Sequence, residues 1–191
     1  RGVNVTAEVT PHHLLLTEEL VRGYDARFKV NPPLRRDEDV RAVREGLADG
    51  TIDIVATDHA PHPDESKSCE WQAAANGMVG LESALRVVHE AVVATGLLDW
   101  ADVARVMSAT PARIGRLTDA GTPLTVGAPA SLTLYDPSPV RPFTSDDLRG
   151  SSVNSPYLGR ELPGEVRWTL FRGAPTVADG VVAESMTEVR A

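Results

Sequence analysis

The sequence predicts an α/β fold, a strand, helix, strand unit in parallel register followed by a β-rich chain end. Three observations carry this reading. Val40, Val43 and Leu47 recur at helical spacing between two candidate strands, Val3 to Val9 and the apolar Ile54 to Ala56. The second segment is a continuous apolar run, which suits a strand buried on both faces of a parallel sheet, and it ends in Asp58, His59 and His62. From Ser131 onward the pattern changes to period two.

Taken in order, Val3 to Val9 reads as the opening strand. Pro11 to Arg36 is polar and broken by Gly23 and the pair Pro32 and Pro33, so it reads as a long loop with at most one short helix. Asp37 is placed to cap the next helix, and Gly50 to end it. The strand, helix, strand order is then a βαβ unit, parallel and right-handed by default. A second polar loop covers 63–78. Leu81, Leu85, Val88 and Val92 mark one face of a helix that stops near Gly96. Asp99 with Asp102 starts another helix, and Thr110 with Pro111 a further short one. Gly121 opens a stretch punctuated by glycine and proline. Ser131 to Tyr135, Val166 to Phe171 and Val177 to Ala183 read as strands, with turn signals at Arg172 and Gly173 and at Asp179 and Gly180. Two units follow from this, residues 1–120 and 121–191. Two parallel strands neither close a barrel nor cover their own edges, so the chain is expected to need further sequence or to be part of a longer protein.

Composition narrows the function classes. A chain of 191 residues with 42% apolar and 24% charged residues has an ordinary globular balance. No apolar segment approaches the roughly 20 residues that a bilayer requires, so no membrane association is expected. A formal charge of −8 argues against a nucleic-acid partner. Cys69 stands alone and cannot form an internal disulfide, which agrees with a cytoplasmic setting.

The chemistry concentrates where the second strand ends. In sheets of this kind, active sites lie at the carboxyl ends of the strands, which places Asp58 at a catalytic rim. The alternative is an Asp that caps its own turn. His62 reads either as a ligand-facing group or as a loop histidine bonded to backbone. His59 is at least as well suited to packing or support as to ligation. His12 and His13 are adjacent, and on an extended segment their side chains point to opposite sides, so the pair does not readily hold one ion. Asn31 offers an amide suited to a ring amide, or a simple turn before Pro32. Arg35 suits a carboxylate or a solvated surface equally. Met107 and Trp168 read as packing.

The run Thr57-Asp58-His59-Ala60-Pro61-His62, preceded by Glu8-Val9-Thr10-Pro11-His12-His13-Leu14 and by Lys29-Val30-Asn31-Pro32-Pro33-Leu34-Arg35, resembles the carboxyl-terminal half of the dihydroorotases, among the zinc-dependent cyclic amidohydrolases. Gly127 to Asp136 and Asn154 to Tyr157 resemble that family's tail. The resemblance implies the last part of an amidohydrolase-type TIM (β/α)8 barrel over 1–120 and a small β-domain over 121–191. It implies reversible cyclisation of N-carbamoyl-L-aspartate to L-dihydroorotate in pyrimidine biosynthesis, with Zn²⁺ as one or two ions. It makes Asp58 a metal ligand and the general base or acid, and Asn31, His62, Asn76 and Gly77 the substrate contacts. Where the family has an apolar residue before the glycine, this chain has Asn76. Glu8 corresponds to a position that binds an additional zinc in some relatives, with support roles favoured for Glu8, His12 and His13. The family's other metal ligands, a His-x-His pair, a carboxylate or carboxylated lysine and two single histidines, are absent, so the chain by itself is expected to be an inactive fragment. A homo-oligomer or a transcarbamoylase partner is compatible with the family. The alternatives are a hydantoinase or allantoinase and a non-catalytic subunit supporting a transcarbamoylase.

Overall fold

The computed structural model describes residues 3–183. Strand β1 (Glu8–Val9) pairs in parallel with β2 (Ile54–Val55), Glu8 opposite Ile54 and Val9 opposite Val55. Helix α2 (Asp37–Asp49) connects them, as the helical spacing predicts. Its start differs from expectation: Arg36 is the cap residue and Asp37 already lies in the first turn. Asp39 reaches back to accept the Arg36 N–H at 3.3 Å, and three acidic residues in that turn oppose the helix dipole. Gly50 ends the helix at φ 83°, a left-handed conformation that glycine adopts without steric cost.

The opening strand is shorter than predicted. Residues 3–7 form no ladder, and Val3 and Val5 are three-quarters exposed. Among the described residues nothing pairs with the outer edge of β1, and on its inner side Ala7 extends it, its carbonyl accepting the Asp53 N–H at 2.9 Å and its N–H donating to Asp53 Oδ2 at 2.8 Å. The same lack of a neighbour leaves Ile54 only half-buried while Val55 is buried.

The connection after β1 also differs. It contains α1 (Pro11–Leu15) and two 3₁₀ turns, Glu18–Gly23 and Ala26–Phe28. Thr10 caps α1 by accepting the His13 N–H at 3.2 Å, and Pro11 occupies the first turn, where its missing N–H costs nothing. Within the 63–78 loop lies one short turn, α3 (Asp64–Lys67). Helix α4 (Ala84–Val88) continues as a π-helical segment, His89–Val93. Val88 and Val92 are fully buried, but Leu81 precedes the helix and is 59% exposed.

Asp99 caps α5 (Trp100–Ala104) by accepting the Asp102 N–H at 2.8 Å, as predicted. Thr110 and Pro111 do not begin a new helix. A π-helical segment, Arg105–Ala109, runs without a break into α6 (Thr110–Ile114), and the backbone before Pro111 stays right-handed helical.

The chain end forms an antiparallel sheet in the order β3 (Leu132–Pro142), β4 (Glu161–Phe171), β5 (Ala174–Ala178), β6 (Val181–Val182). The first two strands are longer than period two alone predicts, with register shifts between Leu134 and Tyr135 and between Asp136 and Val140. The stretch Val177 to Ala183 is divided at Asp179 and Gly180, where the sequence carries its turn signal, both residues being at positive φ.

Two cores form among the described residues. One packs Val9 and Val55 against Leu14, Leu47, Val88, Val92 and Val106. The other joins Leu16, Val30, Met78 and Val87 to Phe143, Tyr157 and Leu162, so it draws on both sides of residue 121. Burial of such side chains is the main force fixing the loops that follow β1 and β2 onto the sheet end.

Candidate active site

β2 delivers the chain to Asp58, which is exposed and has φ 49°. A non-glycine residue holds that conformation only where its surroundings impose it, at a cost of order 1–3 kcal/mol. The surroundings here are a bridge between His59 and Met78, closed by the Ala60 N–H donating to the Met78 carbonyl at 2.9 Å. The His59 Nδ1 accepts from the Gly80 and Leu81 N–H groups at 3.1 and 3.3 Å, which leaves the ring proton on Nε2. The Ala60 N–H is therefore unavailable for a cap. The Asp58 carboxylate takes no hydrogen bond or ion pair from the described residues, so the side chain does not stabilise its own turn.

Asp58 opens onto a cavity of about 440 Å³ that Glu8, Thr10, His13, Asn31 and Arg35 also line. Arg35 makes an exposed ion pair with Asp39 at 3.5 Å. His13 is a strut for the Asn31 loop: its Nδ1 accepts from the Thr10 hydroxyl at 2.7 Å, and its Nε2–H points at the Pro32 and Pro33 carbonyls at 3.1 and 3.3 Å. Both ring nitrogens are thereby engaged. His12 and His13 lie on a helical turn, not an extended segment, with ring centroids 4.5 Å apart.

His12 is only 2% exposed, and its Nε2 has no partner among the described residues. Burial, and after it the charge on His13, holds its pKa at about 3 instead of the ordinary 6.5. The folded state keeps the ring neutral while the unfolded chain takes up a proton near 6.5. Stability is therefore complete above 6.5 and falls as pH drops from 6.5 toward about 3. His12→Gln should flatten that decline by roughly 1.4 kcal/mol per pH unit, measured by urea unfolding across the window. An unchanged slope would mean that His12 is not the titrating group.

His62, Asn76 and Gly77 form a second group, and none of the three lines this cavity. The His62 Nε2–H donates to the Asn76 carbonyl at 2.9 Å, and the His62 N–H donates to Asn154 Oδ1 at 3.2 Å. Gly77 has φ 127°, and a Cβ there would sit 2.6 Å from Ala60 Cβ and 3.1 Å from His62 Nε2, so only glycine lets the backbone pass. Both backbone groups of Gly77 are used internally: its N–H donates to the Lys29 carbonyl at 2.9 Å, and its carbonyl accepts from Lys67 and Asn154. The Asn76 side chain is exposed, and its N–H has no partner among the described residues. Asn154 is buried at 3% and donates to the Ala60 carbonyl at 2.9 Å, tying the β-rich chain end to the turn after Asp58. Sequence reasoning gave Asn154 no role; its only signal is membership of the tail stretch ending at Tyr157.

The structure thus brings Asp58 and Asn31 to one cavity and His62, Asn76 and Gly77 to one hydrogen-bonded group. The bond from Gly77 to Lys29, two residues before Asn31, connects them.

A sequence profile of the amidohydrolase family matches residues 4–174. The chain belongs to the amidohydrolase family. Among curated proteins it is similar to a dihydroorotase from Leifsonia xyli subsp. xyli, 69% identical over 190 residues that make up 100% of this chain and 43% of that protein. A Streptomyces coelicolor dihydroorotase is 62% identical over 94% of this chain and 42% of its own length. A Mycobacterium tuberculosis dihydroorotase is 52% identical over 95% and 42%. Among solved structures, an L-hydantoinase (dihydropyrimidinase) from Arthrobacter aurescens superposes with a TM-score of 0.83 at 29% identity, covering 94% of this chain and 40% of that one. A D-hydantoinase (dihydropyrimidinase) from a Thermus species gives 0.84 at 26%, covering 96% and 41%. The chain therefore spans less than half the length of the amidohydrolases it matches, and its α/β portion is part of their TIM barrel.

Amidohydrolase membership implies a metal cofactor. Asp58 fits such an ion as one ligand, since its carboxylate is free, exposed and aimed off the carboxyl end of a strand. The described residues contain no group of three metal-binding side chains, so they do not make a whole site. No helix among them is long and apolar enough to cross a membrane.

Proposed function

We propose that this chain is the carboxyl-terminal part of a dihydroorotase that interconverts N-carbamoyl-L-aspartate and L-dihydroorotate with the help of zinc. The free Asp58 carboxylate, held at the end of β2 over a cavity that Asn31 shares, carries the reading. Identities of 52–69% to dihydroorotases over nearly the whole chain support that substrate over a hydantoin or allantoin. The likeness to hydantoinase structures at 26–29% identity supports the second reading, a sister cyclic amidohydrolase.

In this reading Asp58 gives the metal one oxygen ligand, and the remaining ligands lie in the part of the relatives' length that this chain does not span. Bound zinc supplies a water of lowered pKa and a polarised carbonyl. Asp58 takes the proton from the nucleophile and returns it to the departing ring nitrogen; in the cyclising direction the transfers reverse. Asn31 meets the ring amide with one donor and one acceptor. His62 meets the substrate carboxylate by turning its Nε2–H to it from the Asn76 carbonyl. Asn76 contributes its open N–H, and Gly77 allows the backbone to lie against His62. We place the enzyme in the cytoplasm, in keeping with the single cysteine of these 191 residues, and read residues 1–120 as barrel and 121–191 as the β-rich domain. Association with itself or with a transcarbamoylase belongs to the same proposal.

The test is turnover by the full-length protein with dihydroorotate, hydantoin, dihydrouracil and allantoin offered separately. Preference for dihydroorotate supports the reading. Preference for another ring assigns the sister activity, and no turnover by zinc-loaded protein assigns a supporting subunit. His62→Ala should lower kcat/KM by roughly 10- to 150-fold, the effect of losing one hydrogen bond to a charged group, and Asn31→Ala by roughly 5- to 150-fold, the effect of losing two bonds to neutral groups, while zinc content stays at the wild-type level in both. Loss of zinc in either variant would move that residue into the metal's support.

A further inference from the structure

Lys67 is unusual for a lysine. It is 8% exposed, and its ammonium donates to three main-chain carbonyls, Gly77 at 2.7 Å, Ala75 at 2.8 Å and Lys29 at 3.4 Å. No carboxylate pairs with it among the described residues. Removing an ammonium from water is costly, and carbonyl dipoles offset the cost only when the geometry is well satisfied. Two of the three carbonyls have another donor, while Ala75 depends on Lys67. Gly77 also receives Asn154 at 3.4 Å, and Lys29 also receives the Gly77 N–H at 2.9 Å. What the ammonium adds is a cross-link. Lys29 lies two residues before Asn31, while Ala75 and Gly77 flank Asn76.

We propose that Lys67 is a positioning residue that locks the Asn31 loop to the loop carrying Asn76 and Gly77, so that substrate groups reaching both are held at one spacing. Lys29 makes the reciprocal link: its own ammonium donates to the carbonyls of Trp71 at 2.6 Å, Gln72 at 3.2 Å and Ala74 at 2.6 Å. Each loop is thus gripped by a lysine from the other. Burial, followed by the nearby Lys29 charge, pushes the Lys67 pKa below its ordinary value, with Asp25 opposing. Asp25 thus offsets part of the positive charge that the two ammonium groups gather between the loops.

The inference rests on the dihydroorotase reading for its substrate, and the experiment keeps the two apart. Lys67→Met in the full-length protein keeps the side chain's bulk and removes the donors. Steady-state kinetics with dihydroorotate, zinc content and amide hydrogen exchange of residues 75–77 are measured on the same preparation. KM should rise about tenfold with kcat and zinc little changed, since small misplacement of binding groups weakens binding before it reaches the metal. Exchange at Gly77 should accelerate. A KM within about twofold of wild type in folded, zinc-loaded protein overturns the proposal, as does a loss of zinc that drags kcat down with it. Should wild type not turn over dihydroorotate, the functional reading fails, and the exchange measurement alone decides the cross-link: unchanged protection at Gly77 overturns it. If Lys67→Met does not fold, the half-buried Lys29→Met is read in its place by the same criteria.

Discussion

Asp58→Asn in the full-length protein is expected to reduce turnover in both directions by about 10²- to 10⁴-fold, the usual contribution of general acid and base transfer. The amide has the shape of the carboxylate and tolerates the same left-handed backbone, so the fold should survive. The Asp58 carboxylate makes no hydrogen bond in the described residues that the substitution would break, which sets this residue apart from Asp99 or Asp39, whose side chains cap helices. Stopped-time assays of ring opening and closure, with zinc content and thermal unfolding on the same sample, check it. Retention of more than about a tenth of the rate would remove Asp58 from the proton-transfer role.

The 191-residue chain taken alone should show no zinc-dependent ring opening at all. Catalytic zinc sites ordinarily keep three protein ligands, whereas the described residues bring no three such groups together. The free edge of β1 and the exposed Val3 and Val5 add a second obstacle, because a sheet of two short strands is poorly fixed without neighbours. Purified chain incubated with zinc and dihydroorotate gives the measurement. Turnover above the buffer rate would show that Asp58 recruits a complete site from this chain.

Much of the path to Asp58 was legible because it depends on local chemistry. The spacing of Val40, Val43 and Leu47, the glycine stop at Gly50 and the acidic pair Asp99 and Asp102 act within a few residues of themselves. The same Thr-Pro dipeptide shows where that reasoning ends. Thr10 and Pro11 begin a helix because an extended strand precedes them, while Thr110 and Pro111 sit inside one because a π-helical segment already surrounds them. Of the site, the residues in motifs could be named, but their supports could not. Asn154, Lys29 and Lys67 act through main-chain carbonyls distant in sequence, and a carbonyl leaves no mark on residue identity. His13 likewise earned its strut role only once Thr10 and Pro32 were seen on either side of its ring.

The core that unites Leu16, Val30, Met78 and Val87 with Phe143, Tyr157 and Leu162 also sets a schedule for synthesis. A ribosome adding about 5–20 residues per second leaves the early partners waiting on the order of ten seconds for the late ones. During that interval Met78 and Val87 have no lid, and the emerging chain presents a ready surface to chaperones and to other nascent chains. Arrest upstream of Tyr157 would therefore produce an adhesive intermediate, and the coding distance between Leu16 and Leu162 becomes a determinant of yield.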